Sequence, residues 1–374
     1  MLKQKTIVFI ATVAWGRNWQ RQHEWASRLA QFNRVLYIAP FGMTSMGPLT
    51  VLKKLRAEQH FTYNHELSDL AKHNLEHLRL AFIPIRNNRW LNALNAHWMS
   101  WQLRKRGVVD GNNTIIWACN PADTVVALTE RYPRSRVVYD IAMRFVLLPD
   151  APVWLLRSQA ALARRANTIL YDAEAELLDL PADTHYKANY VPQGFDEKLL
   201  QRAVKPHPRA AQIPQPQVVY IGSGYTALDV VLLKKLVTEI ADLHLVMLGD
   251  FNPPLFRHPR VHWLGPVNRC DKDSYLVGAA AGLIPYLVND YTSGTFPTKL
   301  FEYLALGLPV VSTALPEVLK FNKHVLVTAS RAEFVSALRQ ALSKPYQRDD
   351  AFLAQHSWQK RFEKINQILA KWYP

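Results

Sequence analysis

The sequence predicts an α/β protein with two doubly wound parallel sheets, and three observations lead there. Thirteen short runs rich in β-branched and other apolar residues recur along the 374-residue chain, with helix-length stretches between them. The runs are continuously apolar instead of alternating, which is the pattern of parallel strands buried on both faces. The chain is also longer than a single core usually supports, and KPHPRAAQIPQPQ at 205–217 divides the runs into seven and six. Its four prolines and lack of periodicity read as an extended linker.

The first seven runs are TIVFIA, RVLYIAP, LRLAFIPI, NTIIWAC, RVVYDIA, NTILYD and NYVP. The second six are VVYIGS, HLVMLGD, RVHWLG, AGLIPY, PVVST and HVLVTA. The expected organisation is a first domain over 1–204, a linker over 205–217 and a second domain over 218–345. A final helical segment over 346–374, with the amphipathic pattern AFLAQHSWQKRFEKINQILAKWYP at 351–374, is expected at the far end. No low-complexity tract or short-period repeat interrupts it.

The formal charge is +15, from 45 Lys and Arg against 30 Asp and Glu. The excess is concentrated early: residues 1–110 carry 16 basic against 6 acidic side chains, a net +10, together with Trp90, Trp98 and Trp101. Such a surface suits an anionic partner, whether a phosphate-bearing substrate, an anionic membrane or a nucleic acid. Cys119 and Cys270 stand far apart and give neither a disulfide framework nor metal-ligand spacing, so both read as packing residues in a reducing compartment. The apolar run TIVFIATVA near the start is the length of a first buried strand, and no window approaches the roughly 20 apolar residues of a membrane span. The expected location is cytoplasmic, with peripheral contact at the inner face of the membrane.

In open α/β sheets, ligands sit at the carboxyl ends of the strands, so the loops after strands carry the candidates. In IGSGYTALD, Gly222 and Gly224, with Tyr225, follow a strand and precede a helix. Glycines there allow backbone amides to approach a phosphate, although a tight strand–helix turn needs them equally. In IPYLVNDYTSGTFPTKLFEYLALGLPVVST, a strand ends at Tyr286, and Ser293 and Thr295 can serve as caps or anion donors. Pro297 and Thr298 then open a helix. Lys299 and Glu302 lie three apart on it, which places them either as a diphosphate and ribose pair or as a surface ion pair. Gly307 and Pro309 end that helix before the next strand. Gly16, Arg17 and Arg21 follow the first strand and suit an anionic acceptor or phosphate, although solvated arginines on a packing helix fit as well. Asp140 ends the strand of VVYD, where either a general base or a helix cap would stand. VPQGFD at 191–196 reads as a turn that leads into the linker. In 90–106, Trp90, Leu94, Trp98 and Trp101 recur near helical spacing and end at Arg104, Lys105 and Arg106. That pattern fits an interfacial helix on anionic lipid, or a packed helix with a basic last turn.

PTKLFEYLALGLPVVSTALPEV, preceded by AGLIPY, VHWLGPV and VVYIGSGYTALD and by VPQGFD at the domain boundary, resembles the GT-B glycosyltransferases of the family-4-like group. The nearest subgroup makes bacterial cell-surface polysaccharides and includes teichuronic acid and xanthan-type transferases; the element containing Trp19, Arg21 and Gln22 looks like that subgroup too. The resemblance runs over nearly the whole chain and is densest over 218–318. It implies two Rossmann-like domains facing across a cleft, with a nucleotide diphosphate sugar on the second, a glycan acceptor on the first and the final helix crossing back. By that resemblance Glu302 takes the ribose, Lys299 the diphosphate, the Gly222–Gly224 loop the phosphates or sugar, and Gly265 to Val267 the base, with UDP the expected nucleotide. The family pattern has a second glutamate where this chain has Gly294, so a retaining mechanism is not inherited and an inverting one with Asp140 as base is the alternative. The expectation is a transferase without a cofactor or catalytic metal, acting on a lipid-linked acceptor and not on nucleic acid. The competing readings are a sugar-nucleotide epimerase on the same fold, a non-catalytic basic membrane or nucleotide-binding protein, and a transferase that binds donor without turnover.

Overall fold

The structure is a computed structural model that describes residues 2–15, 19–39, 74–80, 82–83, 87–141, 143–148, 151–222, 226–251 and 253–372. The chain divides into two compact units: Met1–Val191 with Phe362–Pro374, and Pro192–Arg361. The first division thus falls at 191/192, where the sequence reading puts it at 204.

Unit 1 is a seven-stranded, wholly parallel sheet in the order β3-β2-β1-β4-β5-β6-β7. Its strands are β1 (Thr6–Ile10), β2 (Arg34–Ile38), β3 (Leu75–Leu78), β4 (Thr114–Ala118), β5 (Arg136–Asp140), β6 (Thr168–Tyr171) and β7 (Ala188–Tyr190). Five of the seven expected runs contain their strand, and the seventh, NYVP, misses only its first residue, Ala188. The third is displaced: LRLAFIPI contributes only Leu78, because the register with Val35–Ile38 is taken by the preceding residues Leu75 to Leu78. The central strands β1, β4 and β5 are buried almost throughout, as their continuous apolar sequence requires. Helices α1 (Arg21–Ala30), α2 (Arg89–Arg104), α3 (Asp123–Glu130) and α4 (Trp154–Arg165) accompany the sheet.

Unit 2 repeats the plan with six parallel strands in the order β10-β9-β8-β11-β12-β13. They are β8 (Gln217–Ile221), β9 (His244–Leu248), β10 (Val261–Gly265), β11 (Ala281–Ile284), β12 (Val310–Thr313) and β13 (Leu326–Thr328). The longer helices are α5 (Val230–Glu239), α6 (Lys299–Ala305), α7 (Arg331–Ser343) and α8 (Trp358–Ala370). Counted from its own first strand, each sheet runs 3-2-1-4-5-6, with a seventh strand added at the end in unit 1, so the strand order reverses beside β1 in one unit and beside β8 in the other.

The segment 205–217, expected as an extended linker, packs within unit 2. It carries a short helix at Pro208–Ala211, His207 stacks on Tyr275 with centroids 3.9 Å apart, and the His207 amide donates to the Ser274 carbonyl. The turn at 191–196 lies against the start of α8: the Trp358 amide donates to the Phe195 carbonyl, and a side chain on Gly194 would come within 2.9 Å of the Trp358 nitrogen. From Phe362 onward α8 groups with unit 1, and there Asn366 Oδ1 accepts from the Leu2 amide at 3.2 Å. Among the described residues no helix is long and apolar enough to cross a membrane.

Candidate active site

In unit 2 the switch point between β8 and β11 brings together Tyr220, Gly222, Tyr286 and Lys299. Hydrogen bonds between the loops that leave these strands fix it: the Asp229 amide donates to the Pro285 carbonyl, and the Leu287 amide to the Ala227 carbonyl. Thr313 Oγ1, from β12, donates to the Tyr286 carbonyl at 2.7 Å.

Lys299 opens α6 and turns inward. Only 6% of it is exposed. Its ammonium donates to the Tyr286 hydroxyl and lies 4.4 Å from the Tyr220 ring centroid and 4.8 Å from that of Tyr286. Among the described residues no carboxylate pairs with it. A buried ammonium without a counter-ion is costly, and two aromatic faces offset only part of the lost hydration. The Tyr286 phenol records that charge: burial works to raise its pKa, and the neighbouring ammonium outweighs burial and holds it below the usual range. The Tyr220 phenol is driven well above its usual range, by burial first and Tyr286 second.

Gly222 must be glycine here. Its φ is +152°, and a β-carbon would stand 2.7 Å from the Tyr220 hydroxyl and 3.0 Å from the Lys299 nitrogen. Gly249 and Gly265 end the next two strands, also at positive φ. A β-carbon on Gly249 would lie 2.0 Å from the Gly222 carbonyl oxygen, and the Gly249 amide donates to the Gly265 carbonyl at 2.9 Å. The carboxyl edge of β8, β9 and β10 is therefore a floor of bare backbone.

Glu302 does not join Lys299. Although three residues apart on one helix, the two diverge: Glu302 Oε1 accepts from Lys272 Nζ at 2.5 Å, with both side chains about a fifth exposed (24% and 21%), and Oε2 has no partner among the described residues. Val267 is half-buried against the unit 2 core, while Pro297 is buried and Thr298, the residue before α6, is exposed. The Thr295 amide donates to the Thr292 carbonyl in the turn before α6, and neither Thr295 nor Thr298 caps that helix with its side chain. Gly224 and Tyr225, like Gly16 and Arg17, lie outside the described residues.

In unit 1 the expected base and the expected anion-binding arginine turn out to bind each other. Asp140 is 1% and Arg21 2% exposed. Asp140 Oδ1 accepts from Arg21 Nε at 3.0 Å, and Oδ2 accepts from Trp117 Nε1 at 3.0 Å. Arg21 Nη1 also donates to the Val191 carbonyl, and Asp172 lies 4.0 Å from it. The carboxyl of Asp140 is raised by burial against the pull of Arg21 and the Trp117 hydrogen bond. Glu176, wholly buried, is pushed well above the usual carboxylate range by burial and then by Asp172, while its Oε2 accepts from the Asp172 and Ala173 amides. A base needs a lone pair turned toward its substrate; both Asp140 oxygens are engaged inside the unit.

Tyr220, Gly249 and Lys272 were missed by sequence reasoning. Gly249 carried a legible signal, since YIG, MLG and WLG each end a strand in glycine. Tyr220 was absorbed into an apolar run, and Lys272 lies 30 residues from its partner. Among the described residues no three His, Cys, Asp or Glu side chains gather as a metal-holding group.

Residues 215–344 match the family model described as glycosyl transferases group 1. A glycosyltransferase of Bacillus subtilis (strain 168) named for teichuronic acid biosynthesis, TuaH, is 24% identical over 346 residues, covering 84% of this chain and 82% of that protein. Among solved structures, Anabaena HepE in complex with UDP and glucose superposes with a TM-score of 0.69 at 15% identity, covering 98% of this chain and all of HepE. The sucrose-phosphate synthase of Thermosynechococcus elongatus gives 0.68 at 14% identity, with 99% of each chain covered. The solved structures establish the fold as GT-B, and the family match lies within unit 2. The chain has the GT-B fold, and its second unit matches the glycosyl transferases group 1 model.

Proposed function

We propose that the chain is a glycosyltransferase that moves a sugar from a nucleoside diphosphate, UDP being the nucleotide, to a lipid-linked glycan during bacterial surface polysaccharide assembly. One observation carries the donor reading: a buried ammonium with no carboxylate partner among the described residues, at a switch point and beside a glycine floor. A diphosphate is the anion that such a site lacks. Lys299 takes a donor phosphate, Gly222 and Gly249 let it approach the backbone, and Tyr286 orients the ammonium. Glu302, its Oε1 held by Lys272, offers Oε2 to ribose hydroxyls, and the segment from Gly265 to Val267 borders the base. In this reading the leaving diphosphate is neutralised by Lys299, without a metal or other cofactor. Asp140 is assigned as the buried counter-ion of Arg21, and the acceptor's base is left to another group.

UDP rather than another nucleotide is supported by the HepE complex, and the polysaccharide context by the teichuronic acid relative. The test is thermal shift of the purified chain against UDP, GDP, ADP, dTDP and CMP. A selective rise with UDP is expected, because a ligand that binds only the folded state stabilises it by mass action. Glu302→Ala should weaken that response while leaving the ligand-free melting temperature in place; an unfolded variant would make Glu302 structural. No response to any diphosphate would overturn the donor reading.

A further inference from the structure

The helix α2 is apolar on two faces. Its inward face packs Ala96, Met99 and Leu103 into the unit 1 core, and beside them Asn95, fully buried, exchanges two hydrogen bonds with the Ile83 backbone at 2.7 and 2.8 Å, and Asn92 donates to Asp123 at 2.6 Å. Ser100, also buried, packs against Tyr132. Its outward face carries three tryptophans and a leucine: Trp90 is 85% exposed, Leu94 51%, Trp98 40% and Trp101 44%. At 100° per residue these four fall within one quadrant of the helix, on the side away from the Asn pair. The stripe runs into Arg104, Lys105 and Arg106, and Lys105 Nζ sits 3.8 Å above the Trp101 ring. The internal hydrogen bonds of Asn92 and Asn95 keep the helix from rolling its tryptophans inward.

Monomeric proteins seldom expose so concentrated an apolar face without a partner for it. The charge around it selects that partner. Between Glu76 and Asp110 the sequence has no acidic residue and six basic ones. A protein interface on this face would have to be acidic; an anionic bilayer supplies both a negative surface and a boundary region in which indole rings settle. We propose that α2 is an interfacial helix that seats unit 1 on anionic phospholipid, with Trp90, Leu94, Trp98 and Trp101 in the headgroup–acyl boundary and Arg104 and Lys105 against the phosphates. The inference is independent of the donor site in unit 2.

The experiment is co-sedimentation of the full chain with sucrose-loaded vesicles. One set is phosphatidylcholine alone and the other an equimolar mixture with phosphatidylglycerol. Wild type should pellet with the mixed vesicles, far less with phosphatidylcholine, and less at high salt. The triple variant Trp90→Ser, Trp98→Ser and Trp101→Ser should lose about tenfold or more in partitioning, and Arg104→Gln with Lys105→Gln a similar factor, confined to the anionic vesicles. Because all five side chains are exposed, circular dichroism and the UDP thermal shift should be unchanged. Equal partitioning of wild type and the triple variant would overturn the proposal. So would a concentration-dependent dimer that the triple variant abolishes, which would make this face an interface between two copies.

Discussion

Each unit buries one long cation next to its switch point, and the two are treated in opposite ways. Arg21 of unit 1 is enclosed by acid: Asp140 in direct contact, Asp172 at 4.0 Å and Glu176 further out. Lys299 of unit 2 is enclosed by phenols and glycine. The first charge is cancelled from within, so its removal should be felt by the fold. The second has no carboxylate partner among the described residues, so under the proposed donor role its removal should be felt by a ligand. Burial and position alone do not separate a structural cation from a binding one; the counter-ion does.

The largest effect expected is therefore on the stability of unit 1. Arg21→Met leaves Asp140 and its acidic neighbours buried without compensation, which typically costs about 3–5 kcal/mol. Calorimetry should show the melting temperature lower by roughly 10 °C for a unit of this size. A variant that keeps its melting temperature and loses transfer would make Arg21 a substrate group and erase the contrast. Next in size is Lys299→Met, for which titration calorimetry should show UDP binding weakened about 10–100-fold, the scale of one or two charge-assisted hydrogen bonds. The ligand-free protein should melt within a few degrees of wild type; a collapse instead would place Lys299 with Arg21.

Gly249→Ala sharpens the comparison from the side of the backbone. Its β-carbon meets the Gly222 carbonyl, so the edge of β9 must shift at a cost of about 1–3 kcal/mol. Denaturant unfolding should report that loss together with a weaker UDP response, because the displaced atom belongs to the glycine beside Lys299.

The smallest effect concerns His356, which stacks on Phe301 and accepts a hydrogen bond from Arg361. Burial, and after it Arg361 and His324, lower its pKa from 6.5 to about 4. The unfolded chain then takes up a proton that the folded chain refuses, so this contribution is complete above about pH 6.5 and declines as the pH falls toward about 4. His356→Gln should flatten the fall in melting temperature across that window by a few degrees; an unaltered slope would place the titration elsewhere.

The central strand runs were legible because a parallel strand buried on both faces writes its burial into consecutive residues. The third run was misplaced because Leu75–Leu78 reads LEHL, a half-exposed strand with no such mark. Lys299, Tyr286 and Gly222 were legible because the loops after strands are where a doubly wound sheet binds. The divergence of Lys299 and Glu302 was not, since spacing places two side chains on one face and only the surrounding packing, here Tyr220 on one side and Lys272 on the other, pulls them apart. Asp140 and Arg21 lie 119 residues apart, and no local pattern announces that they meet. The aromatic periodicity of α2 was plain, but the face that turns inward is the one carrying Ala96, Met99 and Leu103 together with Asn92 and Asn95, whose partners are distant in sequence.

The return of the chain to unit 1 bears on its synthesis. Unit 1 contains both Leu2 and the segment from Phe362, joined through Asn366, with all of unit 2 encoded between them. Domains of a growing chain generally fold as they emerge, the first before the second. Here the first sheet can assemble early, but its last helical layer emerges from the ribosome only after the second unit has been made. The unit that starts first is finished last.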